Sequence, residues 1–117
     1  MRIAAQALCA FVAFQHVIFL VLEMFLWRRP FGLKFFKMTQ EVADQTAVLA
    51  MNQGLYNGFL AAGLVWGLVE GSTPVLTFFT ACVVVAGVFG GFTAKKSILF
   101  VQGLPGAAAL VLVRLAG

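Results

Sequence analysis

Charge is scarce in this chain: only 10% of its 117 residues are Asp, Glu, Lys or Arg, against about a quarter in an ordinary soluble domain. Apolar residues make up 62%, and the mean hydropathy is +1.02. A domain of this size hides only about two-thirds of its unfolded surface, so a soluble fold would leave much of that apolar area in water. The same composition excludes a disordered chain and, in spite of the net charge of +4, a nucleic-acid binder. Histidine occurs once and cysteine twice. With no ligand spacing among them, a dedicated zinc or haem site is not expected, nor is any other metal or cofactor. Cys9 and Cys82 both lie in apolar stretches and read as packing residues. Proline is also rare, with three in the chain, which leaves long stretches unbroken.

Those stretches define the architecture. Four apolar runs occur at about 3–27, 46–69, 75–92 and 98–115, each of the length that a bilayer crossing requires. They do not alternate in polarity or divide into ten-residue segments, which excludes a membrane barrel. The expected fold is an all-α integral membrane protein, a single domain of four transmembrane helices with short loops. The first run is too long for the core of a secretory signal, and Trp27-Arg28-Arg29-Pro30 is not a small-residue cleavage site. It is expected to be a retained helix.

Arg28, Arg29, Lys34, Lys37, Lys95 and Lys96 lie in the first and third loops, against only Arg2 and Arg114 on the other side. Such a bias places these loops in the cytoplasm and both termini outside, in a bacterial inner membrane. The segment 28–45 mixes Phe31, Leu33, Phe35, Phe36 and Met38 with Lys34 and Lys37, a pattern suited to the membrane surface near anionic lipids.

The polar exceptions inside the runs are the candidate functional residues, because such groups are costly in hydrocarbon. His16 and Glu23 are seven positions apart and share a face of the first helix, separated by about 10 Å of rise. Trp27 falls on the same stripe. In the second helix, Gln53, Tyr56 and Asn57 line up with Leu60 and Leu64, with Asn52 at the edge. Gly54, Gly58 and Ala62 form a separate small-residue ladder for close packing. The third helix repeats the device with Ala86, Gly87, Gly90, Gly91 and Ala94. In the fourth, Pro105 removes the usual N–H donor to the Val101 carbonyl, beside Gln102. By depth along their helices, nearly all the polar groups fall in the cytoplasmic half. They suggest a polar pocket open to the cytoplasm or inner leaflet and floored by His16 and Asn57.

The run Asn52-Gln53-Gly54-Leu55-Tyr56-Asn57-Gly58-Phe59-Leu60-Ala61-Ala62-Gly63-Leu64, with His16, Glu23 and Trp27 before it and Gln102-Gly103-Leu104-Pro105 after it, resembles the bacterial and fungal family called domain of unknown function 1304. The resemblance covers essentially the whole chain. It implies a four-helix membrane protein and no particular reaction.

Three functions compete. In the first, a hydrophobic lipid- or isoprenoid-like substrate is bound or isomerised by proton transfer, as an epimerase or isomerase would do. His16 and Glu23 act as acid and base, while Asn52, Gln53, Tyr56, Asn57, Gln102 and Trp27 hold the substrate's polar end. In the second, a small proton-coupled transporter exports lipophilic compounds. In the third, the chain is an accessory subunit. The expected partners are membrane lipids, a hydrophobic small molecule, and further copies of the chain meeting through glycine-rich helix faces.

Overall fold

The computed structural model describes residues 1–117, and the chain is helical nearly throughout. The elements are α1 (Arg2–Met24), α2 (Pro30–Phe35), α3 (Gln40–Glu70), α4 (Thr73–Thr93), α5 (Lys96–Ile98), a π-helical turn (Leu99–Gly103) and α6 (Leu104–Ala116). Three helical stretches are long and apolar enough to cross a membrane: Arg2–Met24, Thr73–Thr93 and Lys96–Ala116. This is the character of a multi-pass membrane protein. The 31-residue α3 is longer than any of them but is not among the three. Asn52, Gln53 and Asn57 lower its hydropathy, and its first turns are polar.

Several boundaries differ from the sequence expectation. α1 stops at Met24 rather than near Trp27, because the Val21 carbonyl accepts from both Phe25 N–H (3.0 Å) and Leu26 N–H (3.1 Å), which loosens the last turn. The segment 28–45 is not simply a surface loop. It contains the one-and-a-half-turn α2 and the start of α3, which begins at Gln40 rather than about residue 46. The early start has a local cause. Thr39 Oγ1 accepts the Val42 N–H at 3.2 Å, and Glu41 lies in the first turn at the positive end of the helix. Gln40 Nε2 also donates to Asp44 Oδ1 at 2.9 Å, one turn on.

The chain forms two compact units. The first comprises Met1–Phe14 and Leu60–Gly117. Its core gathers Ala5, Cys9, Val12 and Ala13 of α1, Leu64 of α3, Leu76 and Val83 of α4, and Ala109 and Val113 of α6. Glycines set the spacing. A methyl group at Gly87 would stand 2.5 Å from Gly103 N, one at Gly106 would stand 2.6 Å from Val83 Cγ1, and one at Gly63 would stand 2.3 Å from Phe79 Cε1. The turn from α3 to α4 falls between the second and third apolar runs. Gly71 adopts φ +61°, Ser72 N–H donates to the Gly67 carbonyl, and Ser72 Oγ caps Val75 N–H. Ahead of Pro105 the helix widens into the π-helical turn, and Val101 retains an interaction partner there.

The second unit is Gln15–Phe59, a helical hairpin made of the end of α1, α2 and the beginning of α3. Small residues lie where α3 meets α1: a methyl group at Gly54 would stand 2.6 Å from Met24 Cγ, and one at Gly58 would stand 2.7 Å from Leu20 Cδ1. At the closed end, Gly32 is buried so tightly that a methyl group would come within 1.9 Å of the Leu26 carbonyl oxygen. Lys37 then turns the chain with φ +54°, while Met38 N–H reaches back to the Leu33 carbonyl and Lys37 N–H to that of Lys34. This is a Schellman-type helix end with lysine where glycine is usual.

Candidate functional site

The hairpin brings two of the expected polar residues together. Glu23 sits at the end of α1 and is half-buried, while Asn57 of α3 is 5% exposed. Asn57 Nδ2 donates to Glu23 Oε1 at 2.5 Å. The contact follows from the local sequence. Gly54 and Gly58 flank Asn57 one turn apart, and without their side chains α3 lies against Leu20, Glu23 and Met24. The short amide arm then spans the remaining gap. Hydrogen bonds to ionised groups are the strong ones, and poor solvation strengthens them further. The amide fixes one oxygen of the carboxyl group.

His16 stands two turns before Glu23, about 10 Å away in rise, and is fully buried. Its ring meets the edge of Phe19 at a centroid distance of 5.1 Å, and it has a further interaction partner. It therefore does not form a direct acid–base pair with Glu23. Proton exchange between them requires an intermediary.

The other candidates are distributed differently. Trp27 belongs to the closed end of the hairpin, where its Nε1 donates to Thr46 Oγ1 at 3.0 Å and its ring packs on Phe36 at 4.8 Å. Thr46 in turn donates to the Val42 carbonyl at 2.7 Å, so the indole is tied to the first turns of α3. Asn52, Gln53 and Tyr56 are exposed on the outside of α3, whereas Asn57 is buried. The face expected to join Gln53, Tyr56, Asn57 and Leu64 is therefore divided: Asn57 lies with the glycines and the other two amide and phenol groups lie outside. Gln102 is buried in the π-helical turn of the other unit.

Two open clefts lie on the surface of the first unit. One of about 500 Å³ runs along the outside of α4 from Phe78 to Phe89, and one of about 210 Å³ lies beside Arg2, Gln6, Thr73 and Gly117. Neither borders Glu23, His16 or Asn57. Sequence reasoning missed Thr46, Gly32 and the Gly63–Gly67 pair that packs on Phe79 and Leu76. Of these, Gly63 and Gly67 had a readable signal, since they repeat the small-xxx-small spacing one step out of phase with Ala62.

Residues 10–114 match the family described as "Protein of unknown function (DUF1304)". A curated relative is the uncharacterized protein YpaA of Lactococcus lactis subsp. lactis (strain IL1403). It is 27% identical over 117 residues, which cover 97% of each chain. No solved structure matches the chain significantly.

Proposed function

The chain belongs to the DUF1304 family of proteins of unknown function, and from that premise we propose that it is a four-crossing membrane protein that exchanges a proton with a lipid- or isoprenoid-like substrate at Glu23. In this reading α3 is the fourth crossing, the basic segments at 28–37 and 95–96 face the cytoplasm of a bacterial cell, and both termini lie outside. Glu23 gives or takes the proton. Asn57 orients the carboxyl group, and His16, two turns deeper, completes the transfer through the bound substrate. Trp27, at the closed end of the same hairpin, remains a candidate for contact with the substrate.

The observation that carries the reading is the Asn57–Glu23 hydrogen bond. An ionisable carboxyl in an apolar span is rarely present without a task, and here a neighbouring amide holds it in one orientation.

The test is to purify the protein in lipid nanodiscs, identify what co-purifies by native mass spectrometry, and incubate the complex in deuterated water. Acid–base isomerisation would add deuterium to carbon in the bound molecule. Glu23→Gln should reduce incorporation by about a hundredfold or more, the scale of a lost general acid or base. The absence of a bound lipophile, or labelling that both Glu23→Gln and His16→Ala leave unchanged, would remove the proposal.

A further inference from the structure

α3 carries two seams. The inner one runs through Ala43, Ala50, Gly54 and Asn57, all buried. The outer one is Gln45, Leu49, Asn52, Tyr56 and Phe59, and every member is exposed: Leu49 is 70% exposed, Tyr56 56% and Phe59 57%. The outer positions advance by four, three, four and three residues, the alternation that keeps one stripe of a helix against a partner in a left-handed pair. Gln53 lies beside the stripe and is exposed as well.

We infer that the outer seam of α3, centred on Asn52 and Tyr56, is the interface through which two copies of this chain pair in the membrane. The inference rests on the reading of α3 as a crossing. Within hydrocarbon, an amide that faces lipid has no partner for its donors or acceptors. Such amides act as glue between helices. A carboxamide has both a donor and an acceptor, so the seam is complementary to its own image about a two-fold axis. A second copy brings the matching amides by construction, whereas a different partner would need to reproduce their spacing. Asparagine in such a seam also fixes register and favours two strands, at some cost in stability. The glycines that the sequence offered for self-association are filled from within the chain: Gly54 and Gly58 by α1, Gly87 and Gly91 by the segment 99–103. Those close-packing positions are therefore not free for a second copy, whereas the amide seam is exposed along α3.

The experiment uses the full chain, with Cys9 and Cys82 replaced by alanine. Leu49→Cys and Asn52→Cys are oxidised in native vesicles beside Val85→Cys, an exposed position on α4. The expected result is a disulfide-linked dimer at 49 and 52, at least about tenfold more abundant than at 85. Native mass spectrometry from nanodiscs should show a dimer, whose dissociation constant rises about tenfold in Asn52→Leu/Gln53→Leu with helicity unchanged by circular dichroism. A monomer, equal cross-linking at 85, or cross-links to a different protein overturns the pairing. A water-soluble maleimide separates the two readings: labelling of Asn52→Cys in the absence of oxidant shows that α3 is not embedded, and both fall. A shielded thiol with no dimer overturns the pairing alone.

Discussion

Asn57 and Glu23 are 34 positions apart in the chain, and the amide of the first donates to the carboxylate of the second across the α1–α3 hairpin. Removing either partner leaves the other buried or half-buried without it, at a cost of about 1–3 kcal/mol. Glu23→Gln retains an acceptor oxygen and should stay within about 1 kcal/mol of the parent. Glu23→Leu and Asn57→Leu should each be clearly destabilising, yet the double variant should lose less than their sum by about 0.5 kcal/mol or more. Reversible unfolding by titration of a denaturing detergent into mixed micelles measures all four. Strict additivity would mean that the bond contributes nothing to the hairpin.

Not every helical glycine should respond alike to alanine. At Gly87 the added methyl meets the backbone of Gly103 at 2.5 and 2.6 Å, whereas at Gly58 it meets only the flexible end of Leu20 at 2.7 Å. Backbone cannot step aside, so Gly87→Ala should cost about 1–3 kcal/mol, as overpacking does. Leu20 can change rotamer, and the better helix propensity of alanine, worth about 1 kcal/mol, offsets the disturbance. Gly58→Ala should therefore be near neutral. Thermal denaturation in detergent ranks the two, and equal losses would contradict the packing described for α4 against the 99–103 turn.

Lys37 holds a left-handed backbone, φ +54°, at the end of α2. A side chain in that region costs about 1–2 kcal/mol, part of which glycine returns as chain entropy on unfolding. Lys37→Gly should raise stability by about 0.5–1 kcal/mol, whereas Lys37→Val should lower it, since a β-branched residue tolerates the conformation least. The same detergent titration reads both signs.

Thr39 sets where α3 begins, through the hydrogen bond from Val42 N–H to its hydroxyl. Thr39→Ala should cost about 1 kcal/mol. It should also fray the first turn selectively, so amide exchange of Glu41 to Ala43 should speed up while that of Gly54 to Asn57 does not. Uniform acceleration along α3 would indicate global destabilisation instead of loss of a cap.

Hydropathy made the helices legible because an apolar run of about 20 residues has few stable alternatives. It lost accuracy where polar chemistry decides. The start of α3 depends on one threonine hydroxyl, and the cluster Thr39-Gln40-Glu41 reads as loop when only apolar residues are followed. The polar stripe of α3 was visible, but its orientation was not. In water a polar side chain points outward by default, whereas in a membrane protein the inward direction is set by which side chains are small enough to allow contact. Asn57 therefore turns in beside Gly54 and Gly58, while Gln53 and Tyr56, on the neighbouring strip, remain outside. Glu23 was identifiable from its cost in hydrocarbon alone. Its partner required a contact across 34 residues, which no local pattern encodes.

α3 has 31 residues, or about 46 Å at about 1.5 Å per residue, whereas α1 and α4, with 23 and 21, reach only about 35 and 32 Å. The shorter two match a hydrocarbon slab of about 30 Å. As the fourth crossing proposed above, α3 would have slack of about three turns at its polar beginning, and could slide or tilt as the bilayer thickens without dragging apolar surface into water. Thickness mismatch would then register as shear between α1 and α3, along the line where Glu23 and Asn57 meet. Lipid chain length would thus set how well that carboxyl group is held.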